Sequence, residues 1–196
     1  MPVTSAADPA LSPDVGRYQP QLEALRRDAL ALTSDLTETQ LDWRSVPDRW
    51  SIAQCLWHLV LTARQYAPGV DAAIEEARRR GEEGKPAYRP GMIANWLVRS
   101  MEPPPRFRVK TFRIVEPPPR LAPSDVTREF FRMLDVLGGQ IQRAQSVHPD
   151  RGRMRSPFFN VLRLTVDQAI RLQLGHARRH LWQAWQVRKT PSFPAP

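Results

Sequence analysis

The stretch Thr165–Arg188, TVDQAIRLQLGHARRHLWQAWQVR, decides how the rest of the chain is read. Thr165 with Gln168 forms a capping box, in which the hydroxyl accepts from the third helical N–H and the Gln side chain returns to the N–H of the cap. A helix is therefore predicted from Val166 to about Arg188. Val166, Ile170, Ala177, Leu181 and Ala184 make its apolar stripe, and His176 and His180 fall on the flank of that stripe. At about 100° per residue an i, i+4 pair lies on one face, so both imidazoles can reach a single ion.

The second decisive stretch, Trp50–Leu61, reads WSIAQCLWHLVL. Ser51 and Gln54 repeat the capping-box pattern and predict a helix beginning at Ile52. Apolar residues occupy nearly every side of it, which implies burial against several neighbours. His58 stands among them, where an imidazole needs a partner to offset its desolvation. A metal shared with the HxxxH helix would supply one; a backbone carbonyl or a glutamine would do so as well.

Working outward, Leu22, Leu25, Ala29 and Leu32 recur at helical spacing and predict a first helix over Tyr18–Thr33. The segment from Ser34 to Trp50 is rich in turn formers, carries Pro47, and is read as a loop packing Leu41, Trp43 and Trp50 onto the bundle. The second helix is expected to kink or break at Pro68, beyond Tyr66, because a proline ring removes a donor and clashes with the preceding turn. Arg78, Arg79 and Arg80 suit its C-terminus. A third helix is predicted from Ser124 as cap to about Gln145 on Val126, Phe130, Leu134, Leu137 and Ile141. Residues 146–156 read as a basic loop, and PFFNVLRL after it as extended.

Between the second and third helices lies a long proline-rich connection with a short apolar helical patch, MIANWLVRSM, and two copies of EPPPR, at Glu102 and Glu116. The copies read as stiff surface segments, with polyproline ligands for a partner domain as the alternative. A connection of this length can cross the bundle and return, so the second and third helices are expected to run parallel. The fold class is all-α, a four-helix bundle over residues 18–190, with a leader of residues 1–17 and a tail of residues 191–196.

Composition bounds the rest. A chain of 196 residues that is 41% hydrophobic can bury one full core. The formal charge of +9 rests on 26 Arg and 3 Lys, a bias typical of GC-rich coding, and with no recognition motif it does not indicate nucleic-acid binding. Nothing at the N-terminus resembles an export signal and no run is long enough to span a bilayer, so a cytoplasmic location without membrane attachment is expected. Cys55 is the only cysteine; it excludes a disulfide framework and reads as a small core residue. His148, in a loop, reads as a surface residue.

Together the segments from Trp50 to Leu59 and from Gly175 to Ala184 resemble the DinB/YfiT-like superfamily, and within it the DinB_2-type proteins. The resemblance covers about Tyr18 to Phe193, and the two histidine segments are its specific part. It implies a divalent transition metal, zinc or nickel, on His58, His176 and His180. Three imidazoles leave a fourth position for water or substrate, as in catalytic zinc sites. The resemblance further implies a metal-dependent enzyme that activates a low-molecular-weight thiol for attack on a small electrophile. A metal-dependent hydrolase of a small amide or ester and a non-catalytic metal- or ligand-binding bundle are the alternatives. Gln54, Arg179 and Gln183 are the expected neighbours of ligands or substrate, and a homodimer follows from the resemblance alone.

Overall fold

In the computed structural model, residues 15–82, 89, 91–105 and 110–195 are described. The predicted leader up to residue 14 lies outside them, as do residues 83–88, 90 and 106–109 of the connection. The described residues form six helices: α1 (Tyr18–Thr33), α2 (Glu38–Asp42), α3 (Ile52–Glu82), α4 (Met92–Ser100), α5 (Pro123–Ala144) and α6 (Val166–Arg188). A two-stranded antiparallel hairpin pairs β1 (Arg153–Arg155) with β2 (Arg163–Thr165).

The four long helices make the bundle, and side-chain pairs give their directions. Arg64 of α3 meets Glu129 of α5, and Asp71 meets Gln140 and Arg143, so α3 and α5 run parallel, as expected. Tyr18 meets Asp167, Asp28 meets Trp185 and Asp35 meets Arg188, so α1 and α6 are parallel too. His58 near the start of α3 meets His176 and His180, while Gly69 and Ala73 farther along α3 meet the hairpin that leads into α6. α3 and α6 are therefore antiparallel. The helices run up, down, down, up in chain order, and the segment that crosses the bundle between α3 and α5 carries α4 along α6.

Leu22, Leu32, Ile52, Leu56, Ile74, Phe130, Leu134, Ile141, Ile170 and Leu174 are fully buried at the bundle centre. Each such side chain contributes roughly 1.5–3 kcal/mol of transfer free energy. Leu22, Leu32, Phe130, Leu134, Ile141 and Ile170 among them are residues that the helical spacing selected. No helix among the described residues is long and apolar enough to cross a membrane.

Four local expectations are corrected. Of the kink or break expected at Pro68, the break is absent and α3 continues through the proline; Gln140 of α5 donates to the Ala67 carbonyl at 3.1 Å and to Asp71 at 3.0 Å, holding the helix on both sides of the ring. Ser124 is not the cap of α5: Ala122 occupies that position and Pro123, whose missing N–H costs nothing in a first turn, opens the helix. The loop from Ser34 to Trp50 contains α2, started by a third capping box, Thr37 with Gln40. The basic loop contains β1, which pairs with β2 in the segment expected to be extended. At Gly152, ahead of β1, an added Cβ would lie 1.7 Å from the Ala73 carbonyl oxygen, so only glycine lets the strand approach the α3 backbone this closely.

Candidate metal centre

His58, His176 and His180 come together. One ring nitrogen from each lies within 4.8 Å of the others, and among the described residues no carboxylate or thiolate joins them. Both capping boxes read from the sequence are present, and they set the phase of the two helices that meet here. Ser51 Oγ accepts from Gln54 N at 3.1 Å, and Thr165 Oγ1 accepts from Gln168 N at 3.3 Å. His58 and His180 are 6% and 8% exposed, while His176 keeps part of its ring at the surface.

The protonation of His58 follows from its surroundings. Its Nδ1 lies 2.8 Å from the Val115 carbonyl oxygen. A carbonyl only accepts, so Nδ1 carries the proton and Nε2 is bare. That bare Nε2 faces His176 Nε2 at 3.3 Å. This is the arrangement of a metal-ligating histidine, whose second nitrogen is fixed by a backbone carbonyl. His180 Nδ1 is buried without a hydrogen-bond partner, and an orphaned buried nitrogen is expensive unless something outside the protein's own groups satisfies it.

The electrostatics keep all three rings neutral. Burial holds His58 below the usual imidazole range, opposed by its bond to Val115. Desolvation, with His58 and the Arg179 guanidinium adding to it, drives His176 down to about 3. His180 is pushed well below its ordinary value by desolvation first, then by His176, His58 and Arg179, with the Gln183 side chain opposing. Neutral imidazoles keep their lone pairs at neutral pH, which a cation requires.

The indole of Trp50 covers the cluster, its ring centroid 4.9 Å from that of His58 and 5.8 Å from that of His180. Sequence reading placed Trp50 only in the packing, because nothing in its spacing marks a contact with a helix more than a hundred residues away. Arg179 donates to the Ser100 carbonyl at 3.2 Å and stands beside the cluster. Gln54 is engaged in its helix cap and donates to the Pro118 carbonyl at 3.1 Å. Cys55 is fully buried, its thiol pushed up to about 12, and His148 Nδ1 accepts from Asp150 N in its loop, so neither belongs to the cluster.

An up-down-down-up helical bundle with a largely buried three-histidine cluster that could hold a metal ion is the class of protein that fold and geometry define. The chain belongs to the DinB superfamily, which residues 21–184 match. No curated protein matches it. Among solved structures it is similar to YfiT from Bacillus subtilis, described as a probable metal-dependent hydrolase with an unusual four-helix bundle topology. The TM-score is 0.56 at 15% identity, covering 96% of this chain and 91% of that one. At that identity the likeness establishes the fold.

Proposed function

We propose that His58, His176 and His180 hold one divalent transition metal, zinc or nickel, and that the protein is a metal-dependent transferase acting on a small electrophile with a low-molecular-weight thiol. The observation that carries the metal assignment is the pair of bare or orphaned nitrogens, His58 Nε2 and His180 Nδ1, in a cluster with no anionic residue. A divalent ion bound there supplies Lewis acidity, lowering the pKa of a thiol or water at its open position and polarising a carbonyl.

The surrounding residues divide the remaining tasks. His58 retains its proton on Nδ1 against Val115, so its Nε2 stays available across the neutral range. Trp50 shields one side of the cluster from water. Arg179 places a cation beside it, which favours an anionic or oxygen-rich substrate. The thiol reading is preferred because, among the described residues, no carboxylate joins the three imidazoles, and a thiol needs less help in losing its proton than water does. Hydrolysis of a small amide or ester is the second reading, favoured by the fold likeness to YfiT.

The test is metal content by mass spectrometry on untagged protein. About one ion per chain is expected, and none in His58→Ala or His176→Ala. The loaded protein is then assayed with thiols and electrophiles, and with simple amides and esters. Absence of metal after reconstitution with zinc and nickel would overturn the metal reading. Metal with consumption of amide or ester but no thiol transfer would select the hydrolase, and metal without turnover of either kind a binding bundle.

A further inference from the structure

We propose that the strap of residues 110–119, tethered by Gln54, sets the tautomer of His58 and through it the affinity of the cluster for its ion. The inference rests on the metal reading above.

The proton of His58 ends on a backbone oxygen that belongs to neither α3 nor α6. Val115 closes a short 3-10 turn, Arg113–Val115, held by its own N–H to the Phe112 carbonyl at 3.0 Å. No sheet ladder or long helix fixes this segment, so its position depends on a few anchors. The Val115 side chain is 2% exposed, and Phe112 stacks on Phe158 at 5.2 Å. Beyond the turn the chain reads Glu116-Pro117-Pro118-Pro119-Arg120, a run whose prolines have no N–H and whose carbonyls find no partner within an extended proline segment. Two of these carbonyls are taken by side chains from the start of the bundle: Gln54 Nε2 donates to Pro118, and the Arg44 guanidinium donates to Pro119. The second EPPPR copy thus serves as a row of acceptors that pins the strap.

Gln54 is the link. It lies one turn before His58 on the same face of α3. Its amide divides between two tasks: Oε1 accepts from Ser51 N at 3.2 Å and closes the capping box, while Nε2 reaches the strap three residues past Val115. One side chain therefore starts the helix that carries the ligand and, through the Pro118 carbonyl, tethers the strap whose Val115 carbonyl orients it. If the strap withdraws, His58 Nδ1 loses its acceptor, the proton redistributes between the two ring nitrogens, and the form protonated on Nε2 cannot ligate. Affinity then falls with the competent fraction, and loss of such an orienting partner costs 10–100-fold in general.

Gln54→Glu separates the two tasks, because a carboxylate still accepts from Ser51 N but donates nothing to Pro118; Gln54→Met removes both. In the zinc-free full chain, nitrogen-15 NMR of the imidazoles is expected to show wild-type His58 protonated at Nδ1 and a tautomer mixture in both variants. Zinc affinity, read by competition with a chromophoric chelator, is expected to fall about tenfold in both, and Tm to fall in both, through the lost cap in Gln54→Met and through a buried carboxylate facing the Pro118 carbonyl in Gln54→Glu. The added carboxylate would by itself tighten zinc binding, so a loss in Gln54→Glu cannot be a charge effect. An unchanged His58 tautomer in Gln54→Glu, or affinity that falls only in Gln54→Met, would overturn the proposal and leave Gln54 a helix cap. No zinc uptake by the wild type would overturn the metal reading and this proposal with it.

Discussion

α6 carries two buried polar clusters that differ in how they are satisfied. In its first turn Asp167, 5% exposed, takes the Tyr18 hydroxyl on Oδ1 and Arg171 on Oδ2 at 3.4 Å, with Arg17 at 3.6 Å. The carboxylate also sits where the helix dipole favours an anion. Burial, then the bond to Asp167, pushes the Tyr18 hydroxyl above its ordinary value, so that hydroxyl keeps its proton near neutrality. Farther along α6, His176 and His180 face His58 with a bare nitrogen and an orphaned one among them. A buried polar cluster that closes on itself pins helices together; one that brings three imidazoles together and leaves a buried ring nitrogen without a partner is the kind that an added ion would complete.

The largest expected effect breaks the second cluster alone. His180→Ala should weaken zinc binding by more than a hundredfold, beyond what loss of an orienting partner costs, and leave the far-ultraviolet circular dichroism unchanged. An affinity within tenfold of wild type would remove His180 from the ligand set.

The next effect is a pH dependence. His58, His176 and His180 each titrate lower in the folded state than their ordinary 6.5, so below that value the unfolded chain binds protons that the folded one refuses. Metal-free protein should therefore lose stability as pH falls from about 6.5 towards 3, by at most ~1.4 kcal/mol per pH unit per histidine. Urea unfolding at stepped pH measures this, and bound zinc should move the onset lower. A flat profile in the metal-free protein would show that the rings are solvated.

Tyr18→Phe tests the first cluster. It removes one partner of a buried carboxylate and should cost about 1–3 kcal/mol in urea unfolding, with metal content unchanged. A change in metal content would mean that the two clusters are coupled along α6. The smallest effect is expected at Cys55, buried and with its thiol raised to about 12. Thiol reagents should not label the native chain, and Cys55→Ala should leave zinc affinity within a factor of two. Protection from labelling that appears only with metal would bring the thiol into the site.

The comparison also shows which inferences a sequence supports. The capping boxes at Ser51 and Thr165 gave correct helix starts because a cap is a contact among residues three apart. The same pattern at Thr37 starts a helix of only five residues, too short for periodicity to stand out beside Pro47. The local cost of Pro68 predicts a break, which contacts from α5 override. The hairpin leaves little mark in the sequence because its strands are three residues each and are specified by packing on Gly69 and Ala73.

By itself the sequence determined that the chain is a mostly helical bundle, and that two histidines share one face of its last helix while a third stands among apolar residues in an earlier one. Each of these follows from relations within a few residues, where helical geometry is fixed. Only the tertiary structure decided that the third histidine meets the other two, which of its nitrogens keeps the proton, and that Trp50 covers the cluster. Those depend on the up-down-down-up path and on a carbonyl at Val115, a group that every residue carries and no sequence pattern can single out.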